Sequence, residues 1–216
     1  MPDANYKAAG RVVVGLSYPV VALYNAPGGL TSYTDGRVLA RLDSYNINVS
    51  TAGDGNKLHL DNVVAENAGD TFVSGTLTLT TDHPLPDVED FIYGQPDEET
   101  IEIDGEQIPY SGMSTEHSSP TLCVGVIVKF RCAGVHSYAP IIFAKCTFRQ
   151  GGDSAKTQGE QLDYQLRTFD IDLARDDTAK KRWRYNIRKY FDNEPDARAL
   201  LRKIMKVPEE EASNGG

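Results

Sequence analysis

Three cysteines, four histidines and a few closely spaced acids are the material from which this chain would have to build a reactive site. Cys123, Cys132 and Cys146 each sit in or beside an apolar run, with no C-x-x-C pair among them. A nucleophilic thiol needs a neighbouring base or positive charge to become thiolate, and these surroundings suit small buried hydrophobes instead. His59, His83, His117 and His136 never pair with another His or Cys at metal-ligand spacing, so no metal is expected. No G-x-S-x-G elbow occurs. The stretch Gly152 to Thr157 ends in the Lys-Thr of a phosphate loop, but Ala155 and Gln150 stand where that loop needs glycine. Asp170 and Asp172 are an acid pair of the kind glycosidases use; a spacing of two on a strand places both on its solvent face. Asn48-Val49-Ser50 is a formal glycosylation acceptor. The run Lys180-Lys181-Arg182-Trp183-Arg184 has the chemistry to stack on nucleic acid. At a formal net charge of -9, a charged edge or subunit contact is the better reading. The expectation is a chain with no catalytic residue, no cofactor and no enzyme activity.

The elements that would position such residues are mostly strands. Tyr45, Ile47 and Val49 alternate with Asn46, Asn48 and Ser50; Val73, Gly75, Leu77 and Leu79 alternate with Ser74 to Thr80; Leu162, Tyr164 and Leu166 alternate with Asp163, Gln165 and Arg167. This two-residue period marks strands with one buried face. Ile101 to Ile108 reads as a hairpin, because Asp104-Gly105 supplies the positive φ angles of a type I′ turn. Leu122 to Phe130 and Pro140 to Phe148 are more continuously apolar and read as central strands. After Leu166 the apolar phase slips to Phe169, Ile171 and Leu173, which predicts a bulge near Arg167-Thr168 in one long strand. Two helical stripes interrupt the pattern. Val88, Phe91 and Ile92 predict a helix over 84–93 ended by Gly94. Ala197, Leu200, Leu201 and Ile204 predict another over 194–206, capped by Asn193 and stopped by Pro208.

With 216 residues, 40% hydrophobic and 25% charged, the chain suits one globular domain. No apolar run approaches the roughly 20 residues of a membrane span, and the first twenty residues lack the layout of a secretory signal. The odd cysteine count fits synthesis in a reducing cytoplasm. Charge is uneven: residues 1–175 hold 12 basic and 23 acidic residues, while 176–216 hold 10 and 8. Tight binding to DNA or to an anionic membrane would need clustered Lys and Arg, and is not expected.

An ordered set of segments resembles the major tail proteins of long-tailed phages of Gram-positive bacteria, the phi13-type tail tube family. Gly15-Leu16-Ser17-Tyr18-Pro19-Val20-Val21-Ala22 is similar to that family's opening strand. Phe72 to Leu79, then Leu85-Pro86 and Phe91-Ile92-Tyr93-Gly94, is similar to its strand and short helix ending in glycine. Leu122 to Lys129 resembles the strand that follows. Ala155-Lys156-Thr157-Gln158-Gly159-Glu160-Gln161-Leu162-Asp163-Tyr164-Gln165 resembles the family's K-T-x-G-[D/E]-x-[I/L]-x-[F/Y]-Q. Arg175-Asp176 and Trp183 fall where the family has similar residues. The strand before the K-T motif, Tyr138 to Phe148, departs from the family in holding Pro140 and no Trp.

The resemblance implies a mainly β fold: a bent β-sandwich or barrel of the tail-tube type, with one short helix between strands and a C-terminal helix. The implied organisation is an N-terminal arm (1–14), a tail-tube β domain (15–192), the C-terminal helix (193–206) and a flexible tail (207–216). It implies a structural virion protein of the phage tail, made in the host cytoplasm, whose hexameric rings stack into the conduit for DNA ejection. Partners would be further copies of itself, tape measure and terminator proteins, and DNA only in transit. The segment from Ser50 to Asp70 is rich in turn residues, and Gly53, Asp54, Gly55 and Asn56 become the candidate inter-ring loop. Glu66, Asp70, Asp163, Asp170 and Asp172 become candidate lumen-facing acids, repelling phosphate so that DNA slides. Alternatives are a ring protein of a type VI-like or contractile secretion apparatus, a carbohydrate-binding β-sandwich and, last, a glycosidase.

Overall fold

The computed structural model describes residues 10–52, 57–60, 63–67, 71–95, 99–112, 116–151, 156–157 and 164–208. Its centre is a ladder of three apolar strands. β1 (Val12–Asn25) pairs with one edge of β9 (Leu122–Cys132), and β9 turns through Ala133-Gly134 into β10 (Val135–Phe148). Beyond β1 lies β2 (Ser32–Val38). On the far side, β10 meets β12 (Arg184–Asn186) at its middle, from Ile141 to Phe143, and β11 (Arg167–Ala174) at its end, from Lys145 to Phe148. β6 (Phe72–Thr81) and β3 (Leu42–Thr51) follow, so the order is β2-β1-β9-β10-β11-β6-β3, antiparallel throughout. Two hairpins stand apart: β4 (Lys57–Leu60) with β5 (Val63–Asn67), and β7 (Glu99–Ile103) with β8 (Glu106–Tyr110).

Register slips bend the sheet. β1 slips against β9 between Val13 and Gly15 and again between Ser17 and Val20, where Tyr18 takes a φ of 53°. β10 slips between Phe143 and Cys146, at the point where its outer neighbour changes from β12 to β11. Each slip adds local twist, and the sheet rolls until β3 comes alongside β1 without a ladder joining them. The result is the mainly β, barrel-like fold with two helices that the sequence predicted. Pro140 does not break β10; it sits opposite Ile127 in an intact ladder.

The bulge predicted near Arg167-Thr168 is not there. β11 starts at Arg167 and runs in register against β6. Tyr164 and Leu166, expected on the buried face of one long strand, lie outside any strand and are 84% and 48% exposed. The phase change marks where the strand begins. The arm expected over 1–14 also shortens, because Val12 and Val13 already pair with Arg131 and Phe130.

The central ladder is buried on both faces, which is why its sequence lacks alternation. On one face Val21, Val124, Val126 and Phe143 pack against Leu77, Leu79, Phe169 and Ile171 of the rolled half-sheet. Val88 and Ile92 of α1 (Pro86–Tyr93) close that core, and Gly94, at a φ of 63°, ends the helix. On the other face Val20, Ala22, Cys123 and Ile142 lie beneath Ala197, Leu201 and Met205 of α2 (Glu194–Met205). The Asn193 side chain caps α2 by accepting from the Asp196 N–H at 2.9 Å. α2 ends at Met205, and Lys206 caps it in the left-handed region two residues before Pro208. Gly125 permits the close approach of this helix: a Cβ there would lie 2.5 Å from Met205 Sδ.

Candidate functional site

Every second residue of β3, β6 and β11 faces away from the core, and together they make a polar face. Asn46, Thr78 and Asp170 lie side by side across the three strands, as do Asn48, Thr76 and Asp172. Asp170 and Asp172 are therefore on the solvent face, as the alternation predicted, with Phe169, Ile171 and Leu173 buried between and beside them. The Thr78 hydroxyl donates to Asp170 Oδ1 at 2.8 Å. Arg149 grips Asp172 with Nε at 3.0 Å and Nη2 at 2.5 Å. One carboxylate is thus held by a hydroxyl and the other by a guanidinium. The pair also carries less negative charge than its two acids suggest, because Arg149 offsets Asp172.

The other candidates fall differently. Glu66 is in β5, opposite Leu58 in the backbone register. Gly53, Asp54, Gly55, Asn56, Asp70 and Asp163 lie outside the described residues. The Ser50 to Asp70 segment does contain a hairpin, β4–β5, reached along the outer ends of β3 and β6. There the apolar residues expected to be inward, Val49 and Val73, are exposed, because the ribbon runs on past the core. Trp183 stacks face to face on Phe72, ring centres 4.9 Å apart, and so packs the base of that ribbon rather than standing free for a base or sugar.

Asp176 organises the basic run. It is 3% exposed and accepts from Thr178 Oγ1 at 2.8 Å, the Arg182 N–H at 2.8 Å and the Tyr185 hydroxyl at 2.5 Å. Burial alone would raise its pKa, but these donors outweigh it and hold the carboxyl below its ordinary value. Lys181 takes the tight-turn φ of 46°, and Lys180, Lys181 and Arg182 are left at the surface. Composition gave no sign of this latch beyond the turn-forming Asp176-Asp177-Thr178. The K-T segment has its own clasp: the Gln165 amide accepts from the Lys156 N–H at 2.8 Å and donates to the Lys156 carbonyl at 2.9 Å. The glutamine that ends the motif thus pairs with its lysine as a strand would.

All three cysteines are buried and unpaired by disulfide. Desolvation pushes the Cys123 and Cys146 thiols well above their usual pKa, which suppresses thiolate. Among the described residues no three His, Cys, Asp or Glu side chains gather as a metal would require, and no helix is long and apolar enough to cross a membrane. A wide groove of about 1070 Å³ runs along α2, lined by Arg198, Arg202, Lys203 and Lys206 among others. It is open to solvent, and Glu194 is the one acid among the described residues that line it. No protein-family model matches the chain, and no curated protein matches it.

Proposed function

We propose that this chain is a structural subunit of a phage tail tube, forming hexameric rings that stack into the conduit for DNA ejection. Tape measure and terminator proteins are its further partners in the virion, and DNA passes without being held. The observation that supports this best is the contrast between the two edges of the sheet. At β2, Gly36 lies against the end of α2, its N–H bonded to the Lys206 carbonyl at 3.3 Å, so that edge is covered. At β3, the ten residues Leu42–Thr51 have no outer ladder partner among the described residues and contain neither Lys nor Pro. A bare strand edge is a template for pairing with another chain, and monomeric proteins blunt such edges with lysine, proline or bulges. β3 slips register near each of its ends, between Leu42 and Ser44 and between Ser50 and Thr51; the regular stretch between these slips, open beside a face of Asn, Thr and Asp, suits a subunit whose edge is covered on assembly. The polar face then meets a water-filled bore.

The test is concentration. Sedimentation velocity and negative-stain microscopy of the purified chain, from micromolar to near-millimolar, are expected to show rings and then tubes. A strictly monomeric protein over that range would overturn the proposal.

A further inference from the structure

Two exposed surfaces of the chain complement each other and stand too far apart to meet within one molecule. The first is the β7–β8 hairpin. Every residue from Glu99 to Tyr110 is exposed. Ile101 faces Ile108 across the ladder, Ile103 faces Glu106, and Glu99 faces Tyr110, whose hydroxyl donates to it. One side of the ribbon is thus apolar and acidic together. Residues 99–112 hold four acids and no Lys or Arg. A two-stranded hairpin alone in water is marginal, and this one spends its apolar side chains on solvent.

The second surface is the tip of the β1–β9–β10 ladder. Val12 is 68% exposed and Val135 is 52% exposed. Arg131 stands beside Val12, paired with it on one side and with His136 on the other, and Val135 follows at the turn on the opposite face of the ladder. Tyr190 packs edge-on against Phe130 at 5.6 Å, and the neighbouring Lys189 lies over the ring of Phe191, which bridges to Tyr138 of β10. Residues 10–16, 129–138 and 187–191 contain no acid. This patch is apolar and basic.

The hairpin is rooted at the opposite end of β9. Gly94, where its incoming strand departs, lies against Ser118 and Pro120, just before Leu122. Arg131 is nine residues along that strand, about 30 Å away at ~3.3 Å per residue. The five-residue hairpin strands reach only about half that distance.

We infer that the β7–β8 hairpin docks onto the apolar, basic tip of β1, β9 and β10 in a second copy of this chain, a head-to-tail contact. Such a heterologous contact either closes into a ring or repeats as a stack. Opposite charge sets the pairing and its rate, and the Ile and Val side chains supply the burial. The inference rests on the tail-tube reading only in requiring that the chain self-associate, and it names a contact separate from the β3 edge.

The test uses charge reversal at exposed positions of the full chain. Glu99→Lys with Glu106→Lys reverses the apolar, acidic side of the hairpin; Arg131→Glu with Lys189→Glu reverses the tip. Circular dichroism and thermal melts check that each variant folds. Under conditions where the wild type assembles, each double variant is expected to need at least tenfold more protein for the same assembled fraction. The chain carrying all four changes is expected to recover, because both surfaces are reversed together. Independently, Ile101→Cys on one population and Val135→Cys on another should crosslink with a short bismaleimide far better than either population alone. Should the double variants assemble as the wild type does, or the fourfold variant fail to recover, or the mixed cysteine pair crosslink no better than its controls, the hairpin contact is wrong while the tube reading stands. A wild type that never assembles removes both.

Discussion

β9 and the β7–β8 hairpin are both antiparallel, both rich in β-branched residues, and opposite in environment. From Leu122 to Val128 every residue of β9 is buried. From Glu99 to Tyr110 every residue of the hairpin is exposed. Strand-forming propensity does not distinguish them; what does is whether the chain provides a second layer. β9 has the rolled half-sheet on one face and α2 on the other. The hairpin has its own cross-strand pairs and, at its base, Pro109 and Tyr110 bordering a pocket with Arg37 and Phe91. Apolar content therefore reports stability in one region and contact with another molecule in the other.

The strongest way to break the comparison is to remove core from the ladder. Phe143 of β10 is fully buried, edge-on to Tyr45 with ring centres 6.1 Å apart. Phe143→Ala deletes a ring that the rolled sheet closes upon, and Phe-to-Ala changes in such cores cost about 3–5 kcal/mol. Urea denaturation should show a loss of that order. A loss under about 1 kcal/mol would mean that the two faces of the ladder do not close as described.

Asp176 gives the next largest effect, and its sign can be checked with pH. Its folded-state pKa lies below the ordinary aspartate value of about 3.9. A depressed carboxyl contributes stability that is fully present above the unfolded value and is lost as pH falls through the folded one. Asp176→Asn replaces an acceptor of several bonds with a group that must turn a donor toward some of them. A cost of about 2 kcal/mol at pH 7 is expected. The gap between wild type and variant should narrow below about pH 4. A gap independent of pH would show that the carboxylate charge plays no part in the latch.

How far the sequence disclosed this depends on whether a feature was local. The alternation of β6 and β11, the Asp104-Gly105 turn and the Asn193 cap are short-range signals, and each appears where its residues predict. The two-faced burial of β9 was legible because a run such as Leu122 to Val128 has only one packing that hides every side chain. The misread bulge at Arg167 was a phase change, and period alone cannot separate a bent strand from a strand that has just begun. Asp176 was invisible for a different reason. Its partners Tyr185 and Arg182 are near in sequence, but Thr31, which also donates to it, comes from far along the chain, as does Tyr24 of β1, which bonds the neighbouring Asp177. Asp170 and Asp172 were placed on the correct face by alternation, yet Arg149, which takes up the charge of Asp172, comes from the end of β10.

The smallest expected effect on stability is the one that sharpens the comparison most. Ile101 and Ile108 face each other in the β7–β8 ladder and are 50% and 38% exposed. Ile101→Thr with Ile108→Thr keeps β-branching and cross-strand geometry while removing apolar surface that the chain does not bury. If the hairpin contributes nothing to its own fold beyond local pairing, the double variant should unfold within about 0.5 kcal/mol of wild type. The same pair of changes made in the ladder would cost several kcal/mol, because there each hydroxyl would enter a dry core. The docking of the hairpin on a second copy adds a second readout, since the lost isoleucine area weakens association while the monomer stays intact. Separate measurements of unfolding in dilute solution and of assembly at high concentration should thus diverge: stability flat, assembly reduced. A drop of 2 kcal/mol or more in the dilute protein would show that the hairpin's apolar side is covered by its own chain. The contrast with β9 would then collapse into one continuous core.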